Sequence, residues 1–157
     1  MVALTIIAQW LHVFGGIVWF GGYVLVAAVV WPMLFSRPAA EARQLFGVAA
    51  PRISRTMAVA GQLVLWFGLL RGTWLGPIKS FDALTSTPYG HTFALAILLT
   101  IGLIVHGATS GPRLAARVWN GDDFQPDARR YVNRSNALSL GLLGLILVCM
   151  VLMRFGW

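Results

Sequence analysis

Four long apolar stretches, none containing an aspartate or glutamate, leave this chain few ways to fold. They run from about Leu4 to Phe35, Met57 to Leu75, Tyr89 to Ala108 and Ala137 to Phe155. Each is close to or above the roughly 20 apolar residues that cross a bilayer. Lipid offers the backbone no hydrogen-bond partner, so each stretch must close its own N–H and C=O groups as an α-helix. Charged residues make up only 11% of the 157 residues, against about 25% in soluble domains. The predicted fold class is therefore all-α: an integral membrane four-helix bundle forming one transmembrane domain over residues 1–157. The first stretch lacks a basic start and is too long for a signal-peptide core, so no cleavable leader is expected. Cys149 is the single cysteine, which excludes an internal disulfide and any paired-cysteine zinc motif.

Loop charges predict the orientation. The first loop carries Arg37, Arg43, Arg52 and Arg55, and the third carries Arg113, Arg117, Arg129, Arg130 and Arg134. Nine of the twelve basic residues thus fall in loops that share one side. The positive-inside rule makes those loops cytoplasmic and both termini external, the periplasmic side where the membrane is a bacterial plasma (inner) membrane. The net charge of +7 then reads as a membrane-facing surface rather than a nucleic-acid site. Trp10, Trp74, Tyr89 and Trp157 suit an aromatic belt at the outer interface.

Between the first two spans, Ser36-Arg37-Pro38 ahead of Ala39 to Phe46 predicts a short amphipathic helix on the inner surface. In the third loop, Asn120-Gly121-Asp122-Asp123 and Gln125-Pro126-Asp127 predict a helical extension, a turn and a re-entry.

Chemistry concentrates in three histidines. His12 lies in the first span; His91 and His106 bracket the third. An ionisable side chain in hydrocarbon is costly and is a functional-site candidate by default, and imidazole is the commonest metal ligand among side chains. His12, Gly15, Gly16, Trp19, Gly22 and Tyr23 share one helical face. Glycines there admit either another helix or a flat macrocycle lying beside an axial histidine. His91 and His106 are fifteen residues apart, roughly 22 Å along the axis, so they cannot ligate one ion. Taking each span centre as the midplane, His12 and Arg71 lie roughly 7 Å outward, His91 roughly 13 Å outward and His106 roughly 9 Å inward. This depth pairs His12 with His91 and leaves His106 apart.

Arg71 has no acidic partner within the spans. It can snorkel to the headgroups or hold an anionic ligand group such as a haem propionate through a bidentate contact. Cys149, Met150 and Met153 add soft sulfur in the outer half of the last span, a set that suits copper(I) or ordinary packing. No membrane carboxylate is present for a proton relay, no glycine-rich phosphate loop occurs, and no Ser-His-Asp set can be assembled.

The run Leu11-His12-Val13-Phe14-Gly15-Gly16-Ile17-Val18-Trp19-Phe20-Gly21-Gly22 resembles the first-helix pattern of the copper-resistance D (CopD) family and of HemJ-type protoporphyrinogen oxidases. Tyr89-Gly90-His91 and the helix ending in His106-Gly107 resemble the third-helix signature of both, and Ala49 to Arg55 is more loosely similar. The resemblance spans roughly residues 8 to 115 and implies a membrane core holding haem or metal at histidines. His12 and His91 match the family histidines, whereas the lysine expected early in the third helix is absent between Thr92 and Leu99, with Ala96 at one such place.

Three readings are open. In the first, haem b is bound by His12 with His91 or His106, beside Arg71, Gly15, Gly16 and Trp19. The protein then serves electron transfer, or oxidoreduction of a membrane-soluble partner such as a quinone or porphyrin. In the second, the same histidines handle or transport copper with Cys149, Met150 and Met153. In the third, the chain is a non-catalytic membrane subunit whose histidines pack. The Gly15/Gly22 and Gly141/Gly144 faces each offer a homodimer contact.

Overall fold

The computed structural model describes residues 2–157, apart from the side chain of Pro112. Helix α1 (Val2–Phe35) contains a π-helical turn at Val26–Val30, and α2 spans Ala39–Gly72. A short helix α3 (Phe81–Ser86) leads into α4 (Pro88–Val118). A two-residue antiparallel pair, β1 (Trp119–Asn120) and β2 (Asp123–Phe124), turns the chain into α5 (Ala128–Arg154). Four helices are long and apolar enough to cross a membrane: Val2–Phe35, Ala39–Gly72, Pro88–Gly111 and Ala128–Arg154. They run up and down, with both termini and the 73–87 connection at one end, called here the terminal end. The two arginine-rich turns lie at the other, the basic end.

The helices are longer than their apolar stretches. No separate amphipathic helix forms at Ala39 to Phe46, and the second helix begins at Ala39 rather than near Met57. Loss of apolar character ends the hydrophobic run, but backbone hydrogen bonding continues regardless of side-chain polarity. The reversal takes only Ser36 to Pro38. The Ser36 amide donates to the Pro32 carbonyl at 3.1 Å, and Pro38 takes an extended ψ of 139° that opens α2. Pro51 does not break α2. Its missing N–H orphans one carbonyl four residues back, where Gly47 presents no side chain and lies exposed. One residue on, Arg52 Nη1 donates to the Val48 carbonyl at 2.8 Å. At 34 residues each, α1 and α2 are about 51 Å long and outreach a hydrocarbon core of about 30 Å. Helix α4 likewise runs on to Val118 and α5 starts at Ala128, earlier than its apolar run predicts. Thr87 opens α4 by accepting from the Gly90 amide at 2.9 Å, with Pro88 at the first helical position.

Two helical hairpins make the bundle, α1 against α2 and α4 against α5, joined chiefly by α2 on α4. Helices α1 and α2 mesh in one antiparallel register. A Cβ on Gly68 would meet His12, one on Gly15 would meet Leu63 and Val64, one on Gly61 would meet Trp19, and one on Gly22 would meet Met57. Large and small residues thus alternate down α1 and oppose small and large residues on α2. Close backbone approach substitutes for a hydrophobic driving force that lipid cannot provide. Trp19, Ala60, Val64, Leu103, Leu143 and Ile146 form the core at mid-depth.

At the basic end Trp31, Leu34, Ala42, Val118, Trp119, Ala128 and Val132 form a second core. Phe46 and Phe35 pack at a tilt against Trp31, and Phe124 stacks on Trp119. Arg43 Nη1 donates to the Gly121 carbonyl at 2.8 Å and Arg129 Nη2 to the Phe35 carbonyl at 3.0 Å, tying the two turns together. Gly121 takes φ +60°, the left-handed conformation this tight turn requires.

The mesh separates two neighbouring glycines. A Cβ at position 15 would lie 2.9 Å from Leu63 Cβ and 3.2 Å from the Ala60 carbonyl oxygen, whereas one at position 16 meets nothing within 4 Å. Gly15→Ala should cost about 1–3 kcal/mol by overpacking, and Gly16→Ala should stay within about 0.5 kcal/mol of the parent. Unfolding titrations in detergent measure both.

Candidate functional site

The His12 imidazole sits in the α1–α2 seam. Its Nδ1–H donates to the Val64 carbonyl at 3.0 Å, since a carbonyl can only accept. Gly68 makes room for the ring: a Cβ there would stand 3.0 Å from Cε1 and 3.2 Å from Nδ1. With the proton on Nδ1, Nε2 keeps its lone pair, and no hydrogen bond engages it among the described residues. A metal-ligating histidine usually has this arrangement, the remote nitrogen held by a carbonyl or carboxylate so that tautomer and ring orientation are fixed.

One rung toward the terminal end, Arg71 Nε donates to Gln9 Oε1 at 2.5 Å. Gln9 and His12 are three residues apart on α1; Gly68 and Arg71 are three apart on α2. One antiparallel register therefore sets both contacts. The remaining guanidinium N–H groups of Arg71 have no partner among the described residues. The sequence leaves Arg71 without a carboxylate, and its partner is instead a neutral amide. The i, i+3 spacing of Gln9 and His12 was the available signal.

His91 is exposed at the terminal end, where its Nε2–H donates to the Thr85 carbonyl at 2.6 Å, near the end of α3. Phe93, two residues on, packs against Gly72, one turn above the Gly68 that faces His12. Six residues of rise then separate the His12 and His91 levels, about 9 Å, and the two rings are held by different neighbours. His106 Nε2 lies 3.4 Å from Ser135 Oγ, across α4 and α5. Its neighbour Gly107 faces the Tyr23 hydroxyl, which places it eleven residues of α1, about 17 Å, from His12. The structure brings Arg71 to the His12 layer and leaves each histidine with its own partner. Among the described residues no three His, Cys, Asp or Glu side chains gather in a metal-binding group.

Gly15 is closed by α2 and Gly16 is open, while Trp19 is buried against Gly61. Cys149 is buried in α5. Comparison with protein-family models, curated proteins and solved structures finds no match to this chain.

The ring-to-glycine contact gives a direct test. Gly68→Ala should displace the His12 ring and weaken its bond to Val64, shifting the His12 Nδ1–H resonance in ¹⁵N-histidine NMR spectra. Gly102→Ala, whose new Cβ meets nothing within 4 Å, should leave that resonance in place.

Proposed function

We propose that the protein is a haem b-binding, multi-pass protein of the bacterial plasma membrane, with His12 Nε2 as an axial ligand. It passes electrons to or from, or oxidises, a membrane-soluble partner such as a quinone or porphyrin. The observation that carries this reading is the hydrogen bond from His12 Nδ1–H to the Val64 carbonyl, which makes the buried-side nitrogen the donor and leaves Nε2 as the ligand atom.

The histidine donors fit haem iron. At each of the three histidines one ring nitrogen has a polar partner and the other has none among the described residues, and imidazole is a common axial ligand to haem iron. Cys149 is buried in α5, and the described residues assemble no multi-ligand cluster. Bound haem would supply a one-electron couple within the membrane. The chain's own residues do the rest. The Val64 carbonyl holds the ring plane of His12, and Gly68 keeps the space for that ring. Arg71 keeps guanidinium N–H groups available for an anionic substituent, in the bidentate manner that carboxylates favour. The resemblance of the first and third helices to the CopD and HemJ-type proteins supports the same framework.

The arginine-rich basic end is assigned to the cytoplasm and both termini to the periplasm by the positive-inside rule. A C-terminal alkaline phosphatase fusion should therefore be active and a C-terminal green fluorescent protein fusion dark; the opposite pair would invert the topology.

Purified protein should be red, with a Soret band that shifts on dithionite reduction, and His12→Ala should remove or alter that band. An unchanged spectrum in the variant would remove His12 from the ligand set. Colourless protein with stoichiometric copper would replace haem by copper, and protein with neither would leave a structural subunit. Arg71→Gln should keep the colour but lower the midpoint potential by on the order of 50 mV, because a nearby positive charge favours the reduced iron.

A further inference from the structure

The α1–α2 seam opens on its lipid-facing side into a groove that the histidine chemistry does not use. One depression of about 410 Å³ is lined by Phe14, Gly15 and Val18 of α1 and by Arg55, Thr56, Val59, Ala60 and Leu63 of α2. A second, of about 300 Å³, continues along α2 past Val59 and Leu63 to Trp66 and Phe67. From Arg55 to Phe67 the groove is twelve residues long, about 18 Å, close to the depth of one leaflet of hydrocarbon at about 15 Å. Its walls are apolar except for Gln62, which accepts a hydrogen bond from Trp66 Nε1, and for Arg55 and Thr56 at the basic end.

Arg55 is one of four basic-end arginines without a hydrogen bond, ion pair or ring contact among the described residues, with Arg113, Arg130 and Arg134, and it is the one that lines the groove. The other basic-end arginines with a contact in the structure are engaged: Arg37 with Glu41, Arg43 with the Gly121 carbonyl, Arg52 with the Val48 carbonyl, Arg129 with the Phe35 carbonyl, and Arg117 over the Tyr131 ring. Arg55 has no hydrogen bond or ion pair among the described residues. Hydroxyls within helices here bond back to their own backbone, as Thr85, Thr92, Thr100 and Thr109 do. The Thr56 hydroxyl, like that of Ser54, has no such bond among the described residues. A free guanidinium and a free hydroxyl on successive residues therefore sit where the polar part of α2 gives way to its apolar part, the depth of lipid phosphates. The one carboxylate on α2, Glu41, lies fourteen residues from Arg55 and is paired with Arg37.

We propose that this groove is a binding site for one anionic phospholipid of the basic-end leaflet. Arg55 and Thr56 hold the phosphate, and an acyl chain lies along Val59, Leu63 and Phe14. A guanidinium suits phosphate because its fork donates two parallel hydrogen bonds, and basic pockets between membrane helices are a recognised form of anionic-lipid site. A zwitterionic headgroup, as in phosphatidylcholine, places its own ammonium beside Arg55 and loses part of that attraction. The site uses neither His12 nor Arg71, so it does not rest on the haem reading.

Native mass spectrometry of the detergent-solubilised full chain, titrated with phosphatidylglycerol or phosphatidylcholine, tests it. The expected result is one tightly retained phosphatidylglycerol. Retention should fall roughly tenfold in Arg55→Gln, the loss of one charge-assisted contact, and only partly in Arg55→Lys. Val59→Trp, which fills the groove at an exposed position, should also lose the lipid. Arg134→Gln, a basic-end arginine on α5 outside the groove, should retain it. Equal retention of the two lipids, full retention by Arg55→Gln, or an equal loss in Arg134→Gln would overturn the proposal. So would a dimer that Val59→Trp converts to monomer, because a second copy would then occupy the groove.

Discussion

The close approach of α1 and α2 is the constraint on which the other features depend. Four successive contacts, His12 on Gly68, Gly15 on Leu63 and Val64, Trp19 on Gly61 and Gly22 on Met57, all obey one antiparallel register. In water such a pair would be held by expelling solvent, but lipid is as apolar as the side chains. The remaining forces are the fit of knobs into notches and the few polar contacts the fit brings together. The bond from His12 to Val64 and the bond from Arg71 to Gln9 are both products of that register. A slip of one turn would break both.

The three histidines and Arg71 find partners without any carboxylate, while Trp119 Nε1 in the basic-end core has none among the described residues. His12 and His91 use backbone carbonyls, His106 a serine hydroxyl, and Arg71 a glutamine amide. A carbonyl already bonded within its helix has a second lone pair, so it can accept from an imidazole without disturbing the helix. Each histidine is thereby bonded at one ring nitrogen.

Much of this was legible from spacing. Apolar runs located the four membrane-length helices, and the shared face of His12, Gly15, Gly16, Trp19, Gly22 and Tyr23 anticipated the seam except at Gly16, which meets nothing across it. The helix ends were not legible, because α2 continues through Arg55, Arg52 and Pro51 on backbone hydrogen bonds that carry no compositional mark. The complementary glycines Gly61 and Gly68 were equally present in the sequence. They acquire meaning only once the register is known, and register is a tertiary quantity. His91 is the clearest instance: helical rise placed it at a definite depth, but the α3 turn that presents the Thr85 carbonyl to it depends on Ser80 and Thr87 capping two neighbouring helices.

The π-helical turn at Val26–Val30 acts as a phase adjuster. In an unbroken α-helix Trp31 and Leu34 would lie on average about 90° around from Trp19. One extra residue in a single turn rotates the rest of the helix back by about 100°, and the Trp31 amide bonds the Val26 carbonyl five residues before it. Trp31 and Leu34 are thereby brought into line with Trp19 and reach the core of the basic end. Helix α1 is in effect two half-helices with separate addresses, the first half reading α2 and the second reading the turns below. The number of residues in the five-residue joint therefore sets which face of the second half meets the core, while Val26 and Val30 pack against it.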